Sequence, residues 1–404
     1  GSADAITLDP NGGAVLVGVT TVTSVKVGAA VTISESGIEA SGIGITCANI
    51  NGTQIGGRRN IIINGDFRIA QRSTSASTTV GYATVDRFRT YTNGVDEAPT
   101  QAQVDVSSGT SPYTEGFRKA FKITNGNQTS GAGSGDYIIF RQMIEAQDMA
   151  NSGWNYTSSS SFVTLSFWIK ASVAQNYYFS MLSSDGTLQN FPMETGSLTA
   201  DTWTKITKTI PGASNIQFNN DNGIGLELDW WPFAGTDYTD AGVSLNTWAA
   251  FASGTRFPDH TSTWYTTNDA TFEITGMQLE VGSVATDFEH RSFGQELELC
   301  KRYYQQINGD YDDHTGFSAY SESATSMRMV VQLHPPMRAA FTHSKSGTFR
   351  FQGATNDSND SAAAFSLHGV NTSFNGCTIR NTSYSGMSAA DRPGNLQFRQ
   401  NGSS

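Results

Sequence analysis

The sequence predicts an all-β protein, on three observations. Apolar residues alternate with polar ones in short runs. Gly, Asn, Asp and Ser separate those runs. The composition combines 41 glycines and 11% aromatic residues with only 15% charged ones. Alternation at period two marks strands, because successive side chains point to opposite faces, and the separating residues are those that turns require. At 404 residues the length exceeds one ordinary core, so two or three domains are expected.

Residues 1–59 are expected to form an intertwined β shaft. Gly1 and Ser2 read as a cloning remnant, with a natural N-terminal part missing before them. In "NGGAVLVGVTTVTSVKVGAAVTISESGIEASGIGITCANINGTQIGG" the small apolar residues alternate while Gly18, Gly28, Gly37, Gly42 and Gly44 interrupt them. With Val, Ile and Leu16 but no aromatic residue, the segment cannot build a core alone, so other copies of the chain must complete its apolar faces. The simplest assembly is a homotrimer. A flexible Gly-rich linker is the alternative, and the wealth of β-branched residues argues against it.

Over 60–291 the aromatic residues arrive. "RNIIINGDFRIAQR" reads as two strands around an Asn64-Gly65 turn, with Ile61 and Ile63 on one face and then Phe67 and Ile69. Strands follow at 85–92, 117–124, 136–144, 162–172, 177–182, 202–210, 223–231 and 270–280, with turns at "SSDG" and "NNDNG" between them. Many short strands with one apolar and one polar face predict two antiparallel sheets packed as a jelly roll. Trp168 and Trp203 are expected in its core, and 145–154 is expected to hold a short helix.

A linking helix is predicted over 292–307. Ser292 and Gln295 make a capping box, and Phe293, Leu297, Cys300 and Tyr304 recur at helical spacing. Beyond it strands resume ("FSAYSE", "MRMVVQLHPPMR", "GTFRFQG", "AAFSLHGV", "CTIRNTSY", "LQFRQ"), enough for a small β domain over 308–404.

The net charge of −11 and the lack of Lys/Arg clusters beyond "GGRRN" and "CKR" argue against nucleic acid as a partner. Cys47, Cys300 and Cys377 are odd in number and widely spaced, which suggests buried thiols and no metal motif. No apolar run approaches the roughly 20 residues that cross a bilayer, so no membrane insertion is expected. Elbow, zincin, P-loop and dinucleotide motifs are absent, so the chain is not expected to be an enzyme, although a glycosidase's pair of distant carboxylates would leave no local signature.

Several stretches carry a resemblance: "NIIINGDFRIAQRSTS", "VDRFRTY", "VTLSFWIKAS", "TWTKITKTI", "GMQLEVGSVATDFEHRSFGQELELCKRYYQ" and "HPPMRAAFTHS". Over roughly 60–345 they resemble the adhesive distal part of bacteriophage tail fibres and related prophage proteins. The run from Gln278 to Gln305 is the most specific part. Where relatives commonly carry Trp, this chain has Ala70. The resemblance implies a homotrimeric receptor-binding protein in the virion tail. Its jelly roll would be like a carbohydrate-binding module, bind a bacterial surface glycan or outer-membrane receptor, and join other tail proteins through the missing N-terminal part. A tail-spike glycan depolymerase and a purely structural tail or baseplate component are the alternatives. No cofactor is implied, apart from the structural calcium that such jelly rolls often hold, which would nominate Asp66, Glu273 or Glu280 although no spacing demands it.

For a glycan, flat aromatic faces should meet the apolar sides of sugar rings, with amides and carboxylates for the hydroxyls. The candidates are Trp230, Trp231, Tyr177, Tyr178, Trp248 and Trp264. Trp230 and Trp231 are neighbours in a strand and must point to opposite faces, so one of them can lie outside. The competing reading is burial in core or subunit interface, the common fate of Trp. Loops at a trimer tip are a further alternative for recognition. The acidic clusters "GDYDDHTG" and "NDSND" fit no calcium-loop spacing and read as solvated turn and loop.

Overall fold

A computed structural model describes residues 58–307 without a break, together with 24–27, 31–34, 37–40, 49–50, 53–54, 316–323, 326–342, 344, 348–353, 357–360, 365–367, 376–381 and 393–399. The chain divides into two units, Gly1–Ile50 and Asn51–Ser404. In the first, β1 (Ser24–Val27), β2 (Val31–Ser34) and β3 (Gly37–Ala40) pair antiparallel in chain order. Two very short strands, β4 (Asn49–Ile50) and β5 (Thr53–Gln54), come next in the chain. Most of the expected shaft lies outside the described residues.

The second unit holds a jelly-roll sandwich. Its strands are β6 (Phe88–Asn93), β7 (Thr100–Asp105), β8 (Lys119–Thr124), β9 (Tyr137–Glu145), β10 (Phe162–Ala171) and β11 (Asn176–Ser183). They continue with β12 (Gln189–Ser197), β13 (Thr204–Pro211), β14 (Ile224–Ala234), β15 (Ala249–Ala250) and β16 (Thr271–Val281). The front sheet runs β15-β12-β11-β14-β9-β6 and the back sheet β13-β10-β16-β8-β7, with antiparallel pairing throughout. Two short helices, α1 (Ser111–Thr114) and α2 (Ala146–Ala150), sit in connections.

Alternation decides what lies between the sheets. Phe88, Phe140, Leu228, Trp230, Phe179 and Met193 point inward from the front sheet and meet Phe121, Phe167, Ile169, Ile274 and Leu279 from the back sheet. Phe88, Phe121 and Phe140 stack with centroids 4.6–5.1 Å apart, giving the sandwich a dense aromatic centre. Trp168 and Trp203 are not in this core. They lie on the outer face of the back sheet with Val106, Phe117 and Ala120, where Trp168 donates to Glu115 at 3.0 Å.

Residues 60–69 also depart from expectation, since they form no regular strands. Ile61 and Ile62 both enter the main core, while Ile63 and Ile69 face Cys300. The segment runs beside the end of β16, where Ile61 N donates to Leu279 O and Met277 N to Gly65 O. Asn64 holds the turn at φ 62°, its amide donating to Ile69 O and Asp86 O, both at 2.9 Å. Ala70 packs half-buried against the main core.

Helix α3 spans Phe293–Lys301, shorter than the expected 292–307. Ser292 caps it with Gln295 in the reciprocal box. Its buried residues are Glu296 and Cys300, with Leu297 and Leu299 half-buried beside Cys300, whereas Phe293 is 57% exposed and Tyr303 and Tyr304 lie past the helix end.

The C-terminal strands are β17 (Gly316–Ser323), β18 (Ser326–Gln332), β19 (Thr348–Gly353), β20 (Asp357–Asp360), β21 (Phe365–Leu367), β22 (Gly376–Asn381) and β23 (Pro393–Arg399). They form one antiparallel sheet in the order β20-β19-β23-β17-β18-β22-β21. The "NDSND" stretch thus contributes an edge strand, not a loop, because Ser358 and Asn359 pair with Phe351 and Arg350. "GDYDDHTG" lies almost wholly outside the described residues. No helix among the described residues is long and apolar enough to cross a membrane.

Candidate functional site

The outward face of the front sheet gathers the side chains that the core rejects. Register sets Arg89 (β6) opposite Arg141 (β9), Arg141 opposite Asp229 (β14), and Asp229 opposite Ser180 (β11), one row across four strands. A second row sets Tyr91 opposite Ile139 and Trp231 opposite Tyr178. The connection 235–262 adds Tyr238, Arg256 and Phe257.

Charges on this face are paired unevenly. Arg141 forks onto Asp229, Nε to Oδ1 and Nη2 to Oδ2 both at 2.5 Å, and also pairs with Glu227. Burial pulls Arg141 down, yet the two carboxylates outweigh it and its pKa is raised. Burial lifts Glu227 above the usual carboxylate range despite Arg141, and burial lowers Arg256 despite Asp229, 3.8 Å from it. Arg89 has neither a carboxylate nor a hydrogen-bond partner among the described residues. It lies 3.9 Å from the Tyr91 ring centre and 5.3 Å from that of Tyr82.

Polar atoms here carry unused hydrogen-bonding capacity. Trp231 Nε1, Ser180 Oγ, Asn190 Oδ1, Arg89 Nε and Arg256 Nε are all buried without a hydrogen-bond partner. These atoms have almost no solvent access, and the inward-facing Trp230 Nε1, Gln142 Oε1 and Ser183 Oγ lack a partner in the same way, so this does not by itself single out the face. Half-buried rings stand among the outward atoms: Tyr82, Tyr91, Tyr137, Tyr178 and Tyr238. Flat rings beside amides and charges can bind a sugar's apolar face and its hydroxyls together.

Of the residues nominated from sequence, Tyr178 lies half-buried on this face, its ring 4.4 Å from that of His260. Trp231 shares the face but is 3% exposed, covered by Tyr238, Arg256 and Phe257. Trp230, Trp264 and Tyr177 are corrected to core: they are buried between the sheets, where their area contributes to stability and presents nothing to a ligand. Trp248 is half-buried at the core edge, packed on Phe191 and donating to Pro211 O at 2.7 Å. Arg89, Tyr91, Arg141, Asp229 and Arg256 were not foreseen. The signal was present in the alternation of "RFRTY" and "YIIFR", where Arg and Tyr occupy the outward positions.

The carboxylates nominated for calcium do not converge. Asp66 pairs with Arg68 at 2.5 Å, and Glu273 with Lys170 at 3.0 Å. Glu280 accepts from Gln278, Thr286 N and Thr286 Oγ1, which fixes the turn after β16. Among the described residues no group of three or more His, Cys, Asp or Glu could hold a metal ion.

No protein-family model matches the sequence, and no curated protein matches it. Similar solved structures include the enzymatically active domain of tailspike protein 4 of bacteriophage CBA120, at TM-score 0.29 and 10% identity. That match covers 55% of this chain and 21% of the tailspike chain, so only about a fifth of the tailspike is represented. A family 4 carbohydrate-binding module matches at TM-score 0.27 and 13% identity, over 54% of this chain and 97% of its own. The family 11 module of a Clostridium thermocellum cellulase matches at TM-score 0.24 and 11% identity, over 53% and 98%. At these scores the likenesses carry no functional weight, and the reading below stands on the site.

Proposed function

We propose that this chain binds a glycan on the outward face of the front sheet, and that it does so as the host-attachment part of a phage tail fibre. The observation that carries the glycan reading is the group of half-buried tyrosines standing beside the Arg89, Arg141 and Asp229 row on one sheet face. The tail-fibre reading draws on the run from Gln278 to Gln305 and its resemblance to distal fibre proteins.

In this reading residues 1–59 form a trimeric shaft, 60–291 the binding domain, 292–307 a linker and 308–404 a tip. Attachment requires no catalytic step or cofactor. Three weak sites on one fibre act at high effective concentration, so each contact can be poor while the particle stays bound.

The test is staining of bacteria by the labelled protein, unaltered and as Tyr91→Ala, together with titration of extracted surface polysaccharide. Loss of staining in the variant, with an unchanged melting curve, is expected. Equal staining by both proteins would move the site elsewhere, and release of reducing ends from the polysaccharide would replace the adhesin with a depolymerase.

A further inference from the structure

We propose that the glycan is acidic, with a carboxylate or phosphate group seated against Arg89 between Tyr82 and Tyr91; this rests on the glycan reading above. The starting point is an electrostatic imbalance. Arg89 and Arg141 stand directly opposite each other on paired strands, an arrangement that costs stability when nothing offsets it. Arg141 is compensated by Asp229 and Glu227. Arg89 has no acidic partner among the described residues, although the chain carries an excess of acidic residues and a net charge of −11. Its Nε is buried without a hydrogen bond.

Arg89 is also part of a longer array. Arg72 lies 3.6 Å from the Tyr304 ring centre and 5.5 Å from that of Tyr82, and Arg89 lies 5.3 Å from Tyr82. Arg89 then reaches Tyr91 at 3.9 Å, and Arg141 reaches the same ring at 5.0 Å. Guanidinium and phenol groups thus alternate along the β6 edge of the front sheet. Arg72 is answered by Asp86 at 3.5 Å and Arg141 by its two carboxylates, so the charge deficit falls on Arg89 alone.

A neutral sugar would use the rings and leave that charge unmet. A sugar bearing a carboxylate or phosphate satisfies both, since a planar guanidinium forks onto either anion while the flanking rings take the pyranose face. The two tyrosines pack against the half-buried Arg89, so less side-chain freedom is lost on binding than at an open surface.

The experiment is an array of uronate-, sialate- and phosphate-bearing oligosaccharides beside their neutral counterparts, followed by titration of the best pair against the full chain, Arg89→Gln and Arg89→Lys. The acidic member is expected to bind tighter, and Arg89→Gln to lose about ten- to hundredfold in its affinity, the worth of a charge-assisted hydrogen bond. Arg89→Lys should recover part of that loss. Because the substitution relieves a like-charge pair, Arg89→Gln should melt at or above the temperature of the unaltered chain. Equal binding of acidic and neutral members overturns this inference and leaves the glycan reading intact. Binding of neither removes both. Equally tight binding of inorganic polyphosphate would reduce the array to a plain anion site, and a lowered melting temperature would make Arg89 a packing residue; either result overturns the inference.

Discussion

Arg302, just past the end of α3, lays its guanidinium across the carboxylate of Glu145 at the end of β9, with Nε to Oε1 and Nη2 to Oε2 both at 2.8 Å. Tyr303 donates its hydroxyl to the same carboxylate, and Arg87 stacks on the Tyr303 ring at 3.3 Å. Burial would raise the Glu145 pKa, but these hydrogen bonds outweigh it and hold the group below its ordinary value of 4.5. An acid depressed in this way contributes stability above its unfolded pKa and loses that contribution as pH falls through the folded one. Glu145→Gln should therefore cost about 2 kcal/mol at neutral pH, discounted because Arg302 is partly exposed. The gap between variant and unaltered chain should hold down to about pH 4.5 and narrow as pH falls further, through the lowered folded-state value. Urea melts at several pH values check this, and a gap constant across pH would count against it.

That contact belongs to a clasp that accounts for the most distinctive run in the sequence. Gln278 Oε1 accepts from Glu289 N, and the Glu289 carboxylate accepts from the backbones of Arg59 and Asn60. Arg291 donates to Ile62 O and Asn60 O, and Glu296 accepts from Asn64 N. Cys300 packs on Ile63 and Ile69, and Arg72 covers the Tyr304 ring. Residues 278–304 thus close over 59–72. The resemblance marks how the sandwich is locked and says little of what it binds.

A second prediction follows from the closest approach in that clasp. A Cβ at Gly65 would overlap the Met277 carbonyl oxygen, the acceptor for the Asn60 side chain, while Gly65 O takes the Met277 N–H. Neither backbone can retreat without breaking that pairing. Gly65→Ala should destabilise by about 2 kcal/mol or more, the range for forcing atoms into a packed interior. Denaturant titration reads it directly, and an unchanged midpoint would mean the turn can shift.

Legibility from sequence followed how strongly burial wrote itself into each segment. β10 and β16 were plain because "FVTLSFWIKA" and "TFEITGMQLEV" are dense in β-formers. β7 reads "TQAQVD", where partial burial leaves little apolar contrast, and β12 contains Pro192 and Gly196, which argue against a strand. Pro192 is tolerated because β12 is covered on one side only by the very short β15, which pairs with Gln189 and Asn190. At the site, attention to Trp selected side chains large enough to be core. The proposed site consists instead of Arg and Tyr, whose outward position depends on which strand face meets the opposite sheet, and pairing decides that.

A third prediction separates the two neighbouring tryptophans. Trp230 stacks over Phe179 and meets Phe140 and Phe167 in the main core, so Trp230→Ala should cost about 3–5 kcal/mol. Trp231 supports Tyr238, Arg256 and Phe257 of the overlying connection, so Trp231→Ala should loosen that segment with a smaller loss of global stability. Hydrogen exchange tells them apart: faster exchange confined to 235–262 for Trp231→Ala, and throughout both sheets for Trp230→Ala.

The last prediction concerns Asp229, whose side chain is fully buried beneath two arginines. Arg141 forks onto it and Arg256 lies 3.8 Å away, while Glu227 reaches Arg141 alone in close contact. Asp229→Asn keeps the shape and removes the charge, leaving Arg256 without a close carboxylate and Arg141 with one. Breaking one side of a buried ion pair costs about 3–5 kcal/mol, because the remaining charge stays desolvated. Glu227 moderates that loss at Arg141, so about 2–3 kcal/mol is expected. The same change makes the face more positive, so an acidic oligosaccharide, if the inference about Arg89 holds, should bind the folded variant at least as tightly as the unaltered chain. Stability and affinity then move in opposite directions. A variant that loses both would mean that Asp229 orients the arginines for the ligand and does not merely neutralise them, and titration below the melting point distinguishes the two.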